Sequence, residues 1–155
     1  MKKEFAMLAD EEFMYKAIAL AKKAAENGDC PIGALVVDEN GEIIGEGYNV
    51  REKQGSPTGH AEIIAIEAAA RAKKSWRLSG CTLYVTLEPC PMCAGAIINS
   101  RIRRLVYGAF DDRGGACTSV VNLFELPFNH KPLVRSRILA DECAALLTEF
   151  FKDKR

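Results

Sequence analysis

Any fold of this chain has to account for two short motifs far apart in sequence, His60-Ala61-Glu62 and Pro89-Cys90-Pro91-Met92-Cys93. Together they supply one imidazole, one carboxylate and two thiols. An imidazole and two thiolates can hold a zinc ion and leave its fourth position to water. A zinc site with an open position does chemistry, whereas a closed one holds a fold together. His60, Cys90 and Cys93 are therefore the expected zinc ligands, and Glu62 is the expected proton carrier. A lone Cys-x-x-Cys could equally be a redox pair or two buried small residues. The upstream His-x-Glu turns the reading toward metal.

The pattern around the motifs suggests how they converge. A first helix is expected from Asp10, read as its cap, to about Asn27, with Gly28 ending it. Ile32 to Val37 and Glu42 to Tyr48 read as strands joined by an Asn40-Gly41 hairpin turn. Residues 49–59 read as a loop, and a long helix begins at His60. Cys81 to Leu87 reads as a buried strand. Pro91 suits the first turn of a helix running from near Cys90 to near Ser100. A strand at Arg104 to Ala109, a loop over 111–118, a short helix, a proline-bounded loop, a strand near Leu133 to Ile138 and a helix from about Asp141 complete the order. Strands alternating with helices after a hairpin predict an α/β fold, a three-layer α/β/α domain with a mixed five-stranded sheet flanked by helices. The whole of 1–155 reads as one domain. Ligands in such sheets sit where strand ends meet helix starts, which is where His60 and Cys90 fall.

Composition narrows the class further. Lys+Arg and Asp+Glu balance at 21 each, so overall charge does not advertise a polyanionic partner. The distribution is uneven. Residues 1–100 carry 11 basic and 14 acidic side chains, and residues 101–155 carry 10 and 7. That mild basic bias at the end permits RNA contact. No apolar run is long enough for a membrane span, and the amino terminus lacks an apolar signal core, so a cytoplasmic location is expected. The six cysteines are then expected to be reduced. Cys117 is the one distant candidate for a fourth metal ligand. Cys30, Cys81 and Cys143 read as buried small residues.

The donor set also suggests a reaction. Cys90 and Cys93, three apart at a helix opening, share one side, and the helix dipole favours their thiolates. Glu62 lies about 200° around its helix from His60, which suits a role outside the metal's ligand set. Activated water beside a carboxylate suits attack on an amidine-like carbon with ammonia leaving.

On these two motifs the sequence resembles the zinc-dependent nucleoside and nucleobase deaminases, whose general mechanism is well described. Within them it is most similar to the bacterial tRNA-specific adenosine deaminases. That closer likeness is carried by residues 93–102, Asp111 with Gly114-Gly115-Ala116, Asn129-His130, and residues 138–147 with Phe150-Phe151. The resemblance implies a cytidine deaminase-like fold and one Zn2+ per subunit, on His60, Cys90 and Cys93, with Glu62 as the catalytic shuttle. It implies hydrolysis of adenosine to inosine at the wobble position of an anticodon stem-loop, in an arginine tRNA with an ACG anticodon. Asn49 would hydrogen-bond the base, Asp111 would sit near the preceding ribose, and Ala61 and Pro89 would line the substrate site. Asn129, His130, Lys152, Lys154 and Arg155 would meet the anticodon loop. A homodimer is implied, with the run Ala94 to Ile98 as an interface candidate. Asp112 and Thr118 depart from the family pattern, Thr118 giving up a glycine's backbone freedom. Two other functions are open: a deaminase of free guanine or cytosine, and a structural-zinc RNA-binding module without activity.

Overall fold

The computed structural model describes residues 2–152 and residue 154, with side chains except at positions 2, 3, 6 and 7. Its elements are α1 (Lys2–Glu26), β1 (Gly33–Val37), β2 (Ile43–Tyr48), α2 (Arg51–Gln54), α3 (Ala61–Lys73), β3 (Thr82–Leu87), α4 (Pro91–Ser100), β4 (Arg104–Ala109), a 3-10 turn (Leu123–Glu125), β5 (Leu133–Arg135) and α5 (Ala140–Lys152). The five strands form one mixed sheet in the order β2-β1-β3-β4-β5. β1 runs antiparallel to β2 and β3, while β3, β4 and β5 are parallel.

Strand alternation sorts the core into two layers. Leu35, Val37, Tyr84 and Val106 point to one face and pack with Met14 and Ala17 of α1 and Cys143 of α5. Ala34, Val36, Leu83, Val85, Leu105 and Tyr107 point to the other, against Ala65 and Ala69 of α3 and Ala94 and Ile97 of α4. This is the expected three-layer α/β/α arrangement. The chain between β3 and α4, and the start of α3, therefore lie on the same face and at the same end of the sheet.

β2 and α3 touch unusually closely. A Cβ on Gly47 would collide with the backbone of Ala61 and Ala65, and one on Gly45 with that of Ala65 and Ala69. The four-residue spacing of these alanines puts them on one helix stripe. Glycine on the strand and alanine on the helix let the two backbones meet, which fixes where α3 begins.

Three local expectations need correction. Asp10 does not cap the first helix. It lies inside α1, is 1% exposed, and binds Tyr84, Arg104 and Arg135. The stretch 49–59 is not all loop, because buried Asp29 accepts from the backbone N–H of Glu52 (2.7 Å) and Lys53 (3.0 Å) and organises α2. β5 ends at Arg135, since Arg137 and Leu139 take left-handed conformations (φ 66° and 55°) that turn the chain out of the sheet. Among the described residues, no helix is long and apolar enough to cross a membrane.

Candidate active site

Two helix starts supply the metal donors. His60 precedes α3 and Cys90 precedes α4, both with extended backbone (φ/ψ −88°/149° and −74°/174°). Pro91 occupies the first turn of α4, where its missing N–H costs nothing. His60 Nδ1 lies 3.6 Å from the Sγ of Cys90 and 3.6 Å from that of Cys93. All three donor atoms fall within 4.8 Å of one another. Tetrahedral zinc with ordinary Zn–N and Zn–S bonds needs its N and S donors about 3.6 Å apart. The trio therefore fits zinc as it stands.

The electrostatics point the same way. A hydrogen bond from Cys93 holds the Cys90 thiol down to about 4 against the opposing effect of burial, with His60 helping. Cys93 in turn is raised, first by that bond and then by burial. The hydrogen bond to Cys90 raises His60, against burial. The cysteine pair thus holds one thiolate, Cys90, hydrogen-bonded by the Cys93 thiol. Glu62, in the first turn of α3, is 4% exposed, and burial pushes its carboxyl up to about 7. The charge of Cys90 acts in the same direction. A carboxyl near neutrality beside the donors can take a proton and return it.

Of the predicted substrate residues, Ala61 and Pro89 adjoin the donors His60 and Cys90 in the chain. Asn49 follows β2 and is buried; its Oδ1 accepts from Arg51 N–H at 3.1 Å, leaving the amide nitrogen as a donor. Ala61 and Pro89 are both buried, and the Pro89 carbonyl accepts from Ala116 N–H at 2.9 Å. Asp111 opens the loop after β4, with Oδ1 accepting from the N–H of Arg113 (3.1 Å) and Gly114 (3.2 Å). Cys30 lies beside this rim. Burial pushes its thiol up to about 11, the charges of Asp111 and Asp29 add to that, and Arg51 and Lys154 oppose it. Arg51 also acts on His60. The charges of Asp111, Arg51 and Lys154 are thus all felt at Cys30.

Beside that rim a groove of about 600 Å³ is lined by Arg113, Leu147, Thr148, Phe151, Lys152 and Lys154. Arg155 lies outside the described residues. Asn129 and His130 are placed elsewhere. His130 Nε2 donates to the Ile102 carbonyl at 2.7 Å, just ahead of β4. The start of β4 pairs with the start of β3, whereas the cluster follows the end of β3. A six-residue strand, about 20 Å, separates the two positions within one subunit.

Cys117 does not join the donors. It is buried with its thiol toward the Pro89 carbonyl (3.9 Å), and burial raises it. All six cysteines are free. Thr118 keeps an ordinary backbone conformation, and its hydroxyl meets that of Tyr107 at 2.6 Å. Sequence reasoning missed Asp29, Arg51 and above all Glu88. Glu88 is 2% exposed, between β3 and Pro89. Burial would raise its carboxyl, but hydrogen bonds from Ser119, Asp111 and Cys117 hold it below the ordinary range. Its one sequence signal is a charged residue at the end of an otherwise apolar strand.

Sheet order, the donor trio and the buried carboxyl together define a metal-dependent hydrolytic centre on an α/β/α scaffold. Residues 7–109 match the sequence profile of the cytidine and deoxycytidylate deaminase zinc-binding region, and the chain belongs to that family. It is 49% identical over 150 residues to the tRNA-specific adenosine deaminase of Bacillus subtilis (strain 168), across 96% of this chain and 92% of that one. A solved structure from work on A-to-I editing by tRNA:A34 deaminases at the wobble position of transfer RNA superposes with a TM-score of 0.85. Its identity is 44%, over 88% of this chain and 99% of that one. Guanine deaminase from Nitrosomonas europaea has a TM-score of 0.79 at 27% identity, over 90% and 83% of the two chains. The scaffold is shared with both activities, and the sequence lies nearer the tRNA enzymes.

Proposed function

We propose that the protein hydrolytically deaminates adenosine to inosine at the wobble position of a tRNA anticodon. The chemistry rests on one observation, the three-donor cluster with the buried Glu62 carboxyl beside it. The substrate rests on likeness to the tRNA-specific adenosine deaminases. When bound, zinc acts as a Lewis acid that makes water a nucleophile near neutral pH. Glu62 accepts a proton from the attacking water and passes it to adenine N1, making C6 electrophilic. It then carries the second proton to the departing amino group, so water and adenosine give inosine and ammonia. Asn49 orients the base through its amide nitrogen. An unpaired anticodon base can be splayed into such a pocket at less cost than a paired one. Arg113, Lys152 and Lys154 offer cationic groups to the flanking phosphates.

The finer assignment is an arginine tRNA with an ACG anticodon, read in the cytoplasm by a homodimer with one zinc per subunit. A surface groove of about 320 Å³ between α3 and α4, lined by Ile63, Ile66, Ala70, Trp76 and Ala96 among others, offers a face for a second copy. Of the run Ala94 to Ile98, only Ala96 lines it; Ala94, Ile97 and Ile98 are core. In such a dimer Asn129 and His130 serve an anticodon loop held by the other subunit. The test is inosine formation by zinc-loaded protein on an ACG-anticodon stem-loop, with free guanine and cytosine alongside. Inosine with both bases untouched is expected. Turnover of a free base without inosine would replace this reading with the small-molecule one.

A further inference from the structure

The hydrolytic reading gives no task to the buried acid that precedes the metal-binding turn. Glu88 lies two residues before the ligand Cys90, and its carboxylate reaches across to the loop after β4. Oε2 accepts from three consecutive backbone N–H groups, those of Cys117 (3.1 Å), Thr118 (2.8 Å) and Ser119 (2.9 Å). Oε1 accepts from Asp111 N–H at 3.1 Å and from the Ser119 hydroxyl at 2.5 Å. The neighbouring chain is shaped to fit, because a Cβ on Gly115 would collide with this carboxylate. The Pro89 carbonyl, accepting from Ala116, stitches the same two segments together again.

Five donors converge on one side chain, and no Lys or Arg is among them. Only a group that accepts on both ends satisfies that set. A glutamine of the same shape would keep its oxygen on the three N–H groups of 117–119 and turn its NH2 to the other side, where the Ser119 hydroxyl can rotate to accept but the Asp111 N–H is left unpaired. The loop held this way starts at Asp111 and includes Arg113, which lines the basic groove. The turn it is held to carries Pro89 and Cys90.

We infer that Glu88 is a positioning residue for substrate: it clamps the 111–119 loop to the metal-binding turn and so sets Asp111 and Arg113 at a fixed distance from the reacting base. This rests on the RNA deaminase reading given above. Glu88 touches neither the metal donors nor, by this inference, the substrate. Its contribution passes through Asp111 and Arg113.

The test compares wild type, Glu88→Gln, Asp111→Ala and the double variant on the ACG stem-loop. Zinc content and amide hydrogen exchange at position 111 and at residues 117–119 are measured in each. Glu88→Gln should keep one zinc per chain, lose protection at position 111, and raise KM about tenfold with a much smaller change in kcat. In the Asp111→Ala background the same substitution should raise KM far less, because both act through one contact. Lost protection with unchanged KM, or effects that multiply fully, would overturn the inference. If Glu88→Gln does not fold, Ser119→Ala removes one of the five bonds and should show a smaller KM rise with the same dependence on Asp111. If wild type makes no inosine, the substrate reading fails separately. The inference is then read from stem-loop affinity, and equal affinity of wild type and Glu88→Gln refutes it.

Discussion

At the scale of single residues, the site separates metal binding from proton transfer. His60, Cys90 and Cys93 present donors at zinc spacing, while Glu62 sits beside them with a carboxyl near neutrality. Glu62→Ala should therefore lower kcat about 10²- to 10⁴-fold while zinc content and stem-loop affinity hold. Cys90→Ser should instead lower zinc content, read by metal analysis. Intact turnover in Glu62→Ala would remove the shuttle assignment. The four residues were legible in the sequence because ligand chemistry demands particular side chains at particular spacings. Glu88 and Asp29 were not. Their partners are backbone N–H groups 23 to 31 residues away, and backbone donors leave no mark on composition. Asn129 and His130 were legible as a motif, yet His130 spends its Nε2 on the Ile102 carbonyl at the far end of the sheet.

At the scale of elements, the placement of His60 and Glu62 depends on how closely α3 lies on β2. Gly45 and Gly47 face the stripe Ala61, Ala65 and Ala69, and neither glycine position has room for a methyl group. Gly47→Ala should push the start of α3 outward. Overpacking of this kind costs about 1–3 kcal/mol, occasionally more. Urea unfolding measures that loss, and because Ala61 is the residue struck, zinc affinity should fall with it. Unchanged stability and zinc affinity would mean that the helix start can shift freely. The hairpin, both ligand-bearing helix starts and β4 could be read from turn residues, proline placement and strand-like runs. The short α2 could not, since Asp29 caps it from outside the segment. The early end of β5 was equally hidden, because two non-glycine residues take left-handed conformations there.

At the scale of the whole molecule, one buried carboxylate ties α1 to three strands. Asp10 accepts from the Tyr84 hydroxyl of β3 at 2.6 Å, from Arg104 of β4 at 2.8 and 3.2 Å, and from Arg135 of β5 at 3.1 Å. Burial would raise its carboxyl, but the bonds from Arg104 and Tyr84 outweigh burial and hold it below the ordinary carboxylate range. Removing one member of a buried charge pair costs about 3–5 kcal/mol. Arg104 and Arg135 keep 28% and 33% of their side chains exposed, so they can rehydrate, and Asp10→Asn belongs at the low end. The pH dependence follows from the direction of the shift. A carboxyl with a depressed folded value stabilises fully above its unfolded value, about 3.9, and loses that contribution as pH falls through the folded one. The gap in urea stability between wild type and Asp10→Asn should thus be constant from pH 7 to about pH 5 and narrow below about pH 4. Zinc release on acidification weakens both proteins alike and cancels in the difference. A gap that stayed constant down to pH 3 would mean that the Asp10 charge contributes nothing and that its hydrogen-bonded shape alone holds α1 to the sheet.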